Sequence, residues 1–133
     1  MPPEPPAVGS PHEWLRYARS DLAIAEQTPA GDVLPETLCF HAQQATEKAI
    51  KAVLVHHVVA FPYTHSVEML ITIAQGAGIP WPSELGEAAL LTDYAVTARY
   101  PALLADIGDA DRERAVALAR SVLEWATGAV AGH

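Results

Sequence analysis

The chain has one cysteine, so no internal disulfide is available to staple it. Cys39 lies inside a helical pattern where a small buried thiol is expected, and no second cysteine or activating motif points to redox chemistry. Basic residues are scarce: eight Lys and Arg stand against 16 Asp and Glu, a net charge of −8. That balance repels nucleic acid and anionic membrane, so any RNA contact has to come from a local basic patch. Apolar runs approaching the roughly 20 residues that cross a bilayer are missing. The N-terminus has neither the basic start nor the apolar stretch of a signal peptide, and a cytoplasmic location is expected. Glycine-rich phosphate loops, a nucleophile elbow and the zinc-protease helix motif are absent as well. His56 and His57 diverge by about 100° on a helix. No carboxylate or thiol spacing completes a site with them, and His65 reads as a helix-start or turn residue, so neither metal nor cofactor is expected.

What is present is a chain of 133 residues, half apolar and only 18% charged, enough for one domain with a real core. Residues 1–10 hold four of the eleven prolines and read as a flexible, partly polyproline-like lead-in to a bundle over residues 11–130. Ser10-Pro11-His12-Glu13 has the signature of a capping box with proline in the first turn. Trp14, Ala18, Leu22 and Ala25 then share one face of a helix ending near Gln27. A second helix is expected from about Val33–Pro35 to His57, with an unusually small stripe of Leu38, Ala42, Ala45, Ala49 and Ala52 that invites close helix packing. A third, from about His65 to Gln75, packs Met69, Leu70 and Ile73. A fourth is capped by Ser83 and runs to about Ala98, burying Leu85, Leu91, Tyr94 and Ala98. A fifth opens at Asp109 and buries Leu118, Val122, Trp125 and Ala129. No stretch alternates as a strand does. The fold class is all-α, an antiparallel up-and-down bundle of four to five helices.

The segment from Cys39 to Ala52, with Phe40-His41-Ala42-Gln43-Gln44-Ala45 at its heart, resembles the central motif of the HEPN family (higher eukaryotes and prokaryotes nucleotide-binding). Three further segments fall in that family's order: Trp14 to Leu22, Thr64-His65-Ser66, and Arg99-Tyr100-Pro101. Together they span about residues 12–128. The resemblance implies a homodimer formed through the long helices and one of two working contexts. Some members are metal-independent ribonucleases, often the toxin of a two-gene pair. Others accompany a minimal nucleotidyltransferase as its helper or target. The enzymatic members carry Arg, four to six residues, then His; none of the six arginines here has a histidine at that distance. Lys51 is followed by four residues and then His56, but it is a lysine and sits in the second helix. The family's ribonuclease pair is therefore not carried over, and no catalytic residue is assigned.

The residues themselves offer candidates for ligand binding. His41, Gln44, Lys48 and Lys51 step by three, four and three along one side of the second helix, beside the alanine stripe. Such a strip suits a nucleotide or an RNA backbone, with the lysines attracting phosphate. It equally suits packing and register, with His41 and Gln44 bonding across a dimer and the lysines in water beside Glu47. Tyr94, Arg99 and Tyr100 bring an aromatic face and a fork of donors at the end of the fourth helix, for recognition or for helix capping. Three functions stay open: a nucleotide-binding or nucleotidyltransferase-partner module, a ribonuclease toxin using His41 as base with Lys48 or Arg99 stabilising charge, and a structural partner whose alanine seam is an obligate interface.

Overall fold

A computed structural model describes residues 9–93 and 107–131, and every regular element among them is helical. The proline cluster at residues 2–6, the end of the expected fourth helix, and Tyr94, Arg99 and Tyr100 lie outside the described residues. Helix α1, Pro11–Ala25, begins as its sequence requires: the Ser10 hydroxyl accepts from the Glu13 amide at 3.2 Å, and the Glu13 carboxylate accepts from the Ser10 amide at 3.1 Å. These bonds satisfy amides that the first turn leaves without intrahelical partners. The buried face is Leu15, Ala18, Asp21, Leu22 and Ala25, so the stripe is turned slightly from the expected one and Trp14 stays half-buried.

Helix α2, Pro35–His56, is the centre of the domain. Leu38, Ala42, Ala45, Ala49 and Ala52 are all buried, and the run from Ala49 to Leu54 has no exposed position. Helix α1 and the last helix, α4 (Asp109–Ala131), both pack on α2, and small side chains on α2 let them approach closely. The alanine face is thus consumed inside one chain. It has no accessible surface to offer a second copy, which removes the reading of this seam as an obligate interface.

Helix α3, Val67–Gly76, is capped by the Ser66 hydroxyl and buries Val67, Leu70, Ile71 and Ala74. Leu70 packs as expected, while Ile73 is half-buried and Met69 points outward at 44% exposure. The fourth element is a 3-10 helix, Ser83–Leu91, in place of the expected start of an α-helix, and its N-cap is Pro82, not Ser83. Its buried residues, Leu85, Ala88 and Leu91, recur every three positions, which is the repeat of a 3-10 helix and not of an α-helix. On α4 the buried stripe is Ala115, Val116, Ala119, Val122, Leu123, Ala126 and Val130, with Leu118, Trp125 and Ala129 only half-buried. The stripe is broad because α4 meets α1 and the 3-10 helix as well as α2. Arg120, midway along α4, pairs with Glu26 just past the end of α1 at 2.7 Å, and Thr127 lies with Arg19 in the groove between them, so the two helices run antiparallel. In the first turn of α4, a hydrogen bond from Arg112 holds the Asp109 carboxyl below its usual range.

Two helices end in the same Schellman geometry with different residues at the left-handed position. After α3 the Ile79 amide bonds the Ala74 carbonyl and the Gly78 amide bonds Gln75, both at 3.0 Å, with Gly78 at φ +85°. After α2 the Val59 amide bonds Leu54 at 2.8 Å and the Val58 amide bonds Val55 at 3.0 Å, but here the left-handed residue is a valine at φ +57°. A β-branched side chain is strained in that conformation by about 1–2 kcal/mol. Val58 is 91% exposed, so its side chain packs against little that would offset the strain. Val58→Gly is therefore expected to stabilise the domain by about 1 kcal/mol, allowing for glycine's greater freedom when unfolded. Thermal melts of the two proteins check this; an unchanged or lower midpoint would show that Val58 sits there without strain.

Candidate functional site

The polar strip of α2 does not stay together. The structure divides it between two carboxylates, one from another helix and one from α2 itself. Asp21, buried on the inner face of α1, accepts from Lys48 Nζ at 2.6 Å through one oxygen and contacts His41 Nδ1 at 2.9 Å through the other. His41 and Lys48 lie seven residues, about two turns, apart on α2, so one carboxylate between them bridges both. Tyr17, more than half exposed, covers this corner with Lys48 Nζ 6.0 Å and the Arg16 guanidinium 5.7 Å from its ring centre.

Gln44 and Lys51 belong to the second group, which is built around Glu47. Glu47 is only 2% exposed, and four side chains converge on its carboxylate. One oxygen takes Gln43 Nε2 at 3.1 Å, Gln44 Nε2 at 3.1 Å and His65 Nδ1 at 3.0 Å; the other takes Lys51 Nζ at 2.8 Å. Lys51 is itself buried, donates to the Thr64 carbonyl at 3.1 Å, and has the rings of Trp14 and Phe61 within 5.6 Å. The expected lysine in water beside Glu47 is instead a desolvated cation held by a carboxylate, a carbonyl and two aromatic faces. Gln43, fully buried, also donates to the His65 carbonyl at 2.9 Å and so ties the connector before α3 to α2.

His65 is more than the turn residue its position suggests. It precedes the N-cap of α3, and its ring leans back onto Glu47 while its far nitrogen lies 3.4 Å from the Tyr63 hydroxyl. A carboxylate on Nδ1 favours the tautomer with the proton on that nitrogen, leaving Nε2 with its lone pair toward the tyrosine. His41 is arranged in the same way by Asp21. The site therefore presents two oriented imidazoles, each backed by a carboxylate that a lysine also neutralises. Tyr63 stands beside one of them, 91% exposed.

Four participants, Asp21, Gln43, Glu47 and His65, do not emerge from pattern reading of the strip. For Asp21 and Glu47 the signal was an acid where an apolar residue belongs. Asp21 falls three residues after Ala18 on the inward face of α1, and Glu47 falls between Thr46 and Lys48 on a helix otherwise rich in alanine. An acid on a buried stripe requires a cation or several donors. Of the expected ligand-binding residues, His41 and Lys48 meet at Asp21, Gln44 and Lys51 meet at Glu47, and Tyr94, Arg99 and Tyr100 lie outside the described residues. His56 and His57 stack edge to face with ring centres 5.2 Å apart, and no group of three or more His, Cys, Asp or Glu is placed to hold a metal among the described residues.

An all-helical domain whose long second helix gathers the first helix and the Thr64-His65-Ser66 connector onto buried acids brings together three of the four segments that carry the HEPN resemblance. The HEPN domain model matches residues 11–129, and the chain belongs to the HEPN family. Among solved structures, the crystal structure of ST0689, an archaeal HEPN homologue, is similar with a TM-score of 0.73 at 24% identity, over 92% of this chain and 99% of that one. At that identity the likeness speaks to the fold. No curated protein matches the chain.

The Glu47 group carries a clear energetic expectation. Replacing Glu47 by Leu strands Lys51 as a buried unpaired charge and should cost about 3–5 kcal/mol. Adding Lys51→Met removes the stranded charge and should recover part of the loss, though not all, because Gln43, Gln44 and His65 each still lose one hydrogen bond. Urea unfolding of the single and double variants reads this directly. A loss below about 1 kcal/mol in the single variant would mean that the pair is not desolvated.

Proposed function

We propose that this chain is a HEPN module that serves a separate minimal nucleotidyltransferase within a two-gene, toxin–antitoxin-like system, binding its nucleotide or receiving a nucleotidyl group. The observation that carries this reading is that the strip's two lysines are already neutralised, Lys48 by Asp21 and Lys51 by buried Glu47. Neither is left to draw in an RNA backbone, and a net charge of −8 opposes such an encounter further. The absent Arg-to-His spacing points the same way. What the site does offer outward is an oriented base beside an exposed phenol. In the proposed transfer, the Tyr63 oxygen attacks the α-phosphorus of a nucleoside triphosphate supplied by the partner enzyme. Its proton passes to His65 Nε2, the bond to the β-phosphate bridge breaks, and pyrophosphate leaves. Glu47 stabilises the imidazolium that forms.

The module is also proposed to pair with a second copy, in a cytoplasmic setting; no helix among the described residues is long and apolar enough to cross a membrane. With the alanine face covered, the surface that suits pairing is the groove between α1 and α4, of about 540 Å³, floored by Leu22 and Leu123 and edged by Arg19, Arg120, Glu26 and Glu124. Alternating charges around an apolar floor are self-complementary across a two-fold axis. A second reading, a ribonuclease, has one observation in its favour: Asp21 orients His41 as a base would need.

Incubation with the partner nucleotidyltransferase and a nucleoside triphosphate should label the wild type. Tyr63→Phe should abolish the label and His65→Ala should slow it about 100-fold or more. The purified protein alone should not cleave RNA but should melt higher with nucleotide present. RNA cleavage lost in both His41→Ala and Arg99→Ala would overturn the partner reading in favour of the nuclease.

A further inference from the structure

The tryptophan pair at one end of the bundle takes no part in the site above. Trp81, between Pro80 and Pro82, and Trp125, on α4, meet edge to face with ring centres 4.8 Å apart. The Trp81 indole N–H is already bonded to the Leu85 carbonyl at 3.2 Å, so that ring is fixed and its polar edge is satisfied. Around the pair runs a groove of about 420 Å³ whose other walls include His57, Pro80, Pro82 and Gly128. Gly128 leaves the α4 wall without a side chain, and a β-carbon there would meet nothing within 4 Å. An aromatic groove with fixed rings and no lysine or arginine suits a polyproline II strand, whose pyrrolidine rings stack on indoles at little conformational cost.

The topology brings the start of α1 toward the end of the bundle that holds the groove. His57 caps the C-terminal end of α2, and Lys51, two turns earlier, lies over the ring of Trp14 near the start of α1. His57 lines the groove together with Trp125 and Gly128, which places the groove at that same end. Gly9 leads into α1 there, close enough that a β-carbon on it would lie 3.6 Å from the Trp14 indole nitrogen. Eight residues precede Gly9, and they include Pro2-Pro3-Glu4-Pro5-Pro6. In polyproline II the seven residues from Gly9 back to Pro2 reach about 22 Å at about 3.1 Å each. That is about twice the 10–12 Å diameter of a helix, enough to cross from α1 to the far side of α4. Among the described residues His57 is the only titratable side chain lining the groove, and Glu4 is the only charged residue in the proline cluster.

We propose that the Trp81–Trp125 groove binds the chain's own residues 2–6 as a polyproline II strand, with the Glu4 carboxylate toward His57. NMR of the full chain tests it, against a variant carrying Pro2→Ser, Pro3→Ser, Pro5→Ser and Pro6→Ser, changes that leave the helical bundle untouched. The wild type should show contacts between proline δ-protons and the two indole rings, and the variant should lose them with a shift of the Trp81 and Trp125 resonances. A synthetic peptide of residues 1–10 added to the variant should restore the wild-type positions, and the same peptide with Glu4→Gln should bind several-fold more weakly. Identical tryptophan resonances in wild type and variant would overturn the proposal. So would shifts that grow with protein concentration, which assign the groove to a second copy, or binding of an unrelated proline-rich peptide where this one fails.

Discussion

Burial of the Glu47 carboxylate is the constraint from which the rest of the arrangement follows. An acid at that depth is tolerable only if several donors converge on it, and the chain supplies them from two places. Gln43, Gln44 and Lys51 come from the same helix, three or four residues away, and His65 comes from the connector eighteen residues on. To bring His65 in, the loop between α2 and α3 must fold back along α2, and Gln43 and Lys51 hold it there by its carbonyls at His65 and Thr64. Trp14 and Phe61 then shield the lysine from water. One acid thus sets the path of a loop, the position of α3 and the direction of an imidazole.

The alanine stripe and the two acids answer the same problem from opposite sides. Small side chains let α1 and α4 lie close on α2, which excludes water from the seam and makes it dense. At such spacing a charged group cannot reach solvent by bending away. Asp21 and Glu47 are consequently neutralised in place, each by a lysine of α2, with a histidine sharing the carboxylate. Replacing these polar pairs by apolar residues of like volume often leaves a fold as stable or more so, so their presence is not explained by stability alone. A role in orienting His41 and His65 gives them a reason that packing does not.

Much of the fold was legible because helices announce themselves by period and by their ends. The capping box at Ser10 and the alanine stripe of α2 each follow from one local rule, and each stands where the rule puts it. The 3-10 helix was misread because Leu85 and Leu91, taken alone, fit a period of 3.6 loosely; Ala88 between them fixes the period at three. On α1 the expected Ala18, Leu22 and Ala25 are buried and only Trp14 gives way to Leu15, whereas on α4 the stripe is turned by a residue, with Ala126 in the inner place and Trp125 half-buried. For the site, the strip on α2 was visible but its division was not. Helical spacing tells which side chains share a face, whereas Asp21 and His65 reach that face from elsewhere in the chain, and nothing in local spacing encodes their arrival.

That division bears on what a HEPN fold needs in order to act. A basic strip left open to solvent would serve phosphate binding, and the bare sequence allows one. Once Lys48 and Lys51 are bound to carboxylates, the strip's exposed chemistry changes from attracting charge to moving protons, because the oriented nitrogens of His41 and His65 are what remain accessible. Proton transfer at a fixed nitrogen requires a reacting group to be delivered to it, and the strip's two paired lysines no longer supply a field to gather an anionic substrate. Delivery by a second protein that already holds its nucleotide meets that need, which is why neutralised lysines and an exposed Tyr63 argue together for a partner more strongly than either does alone.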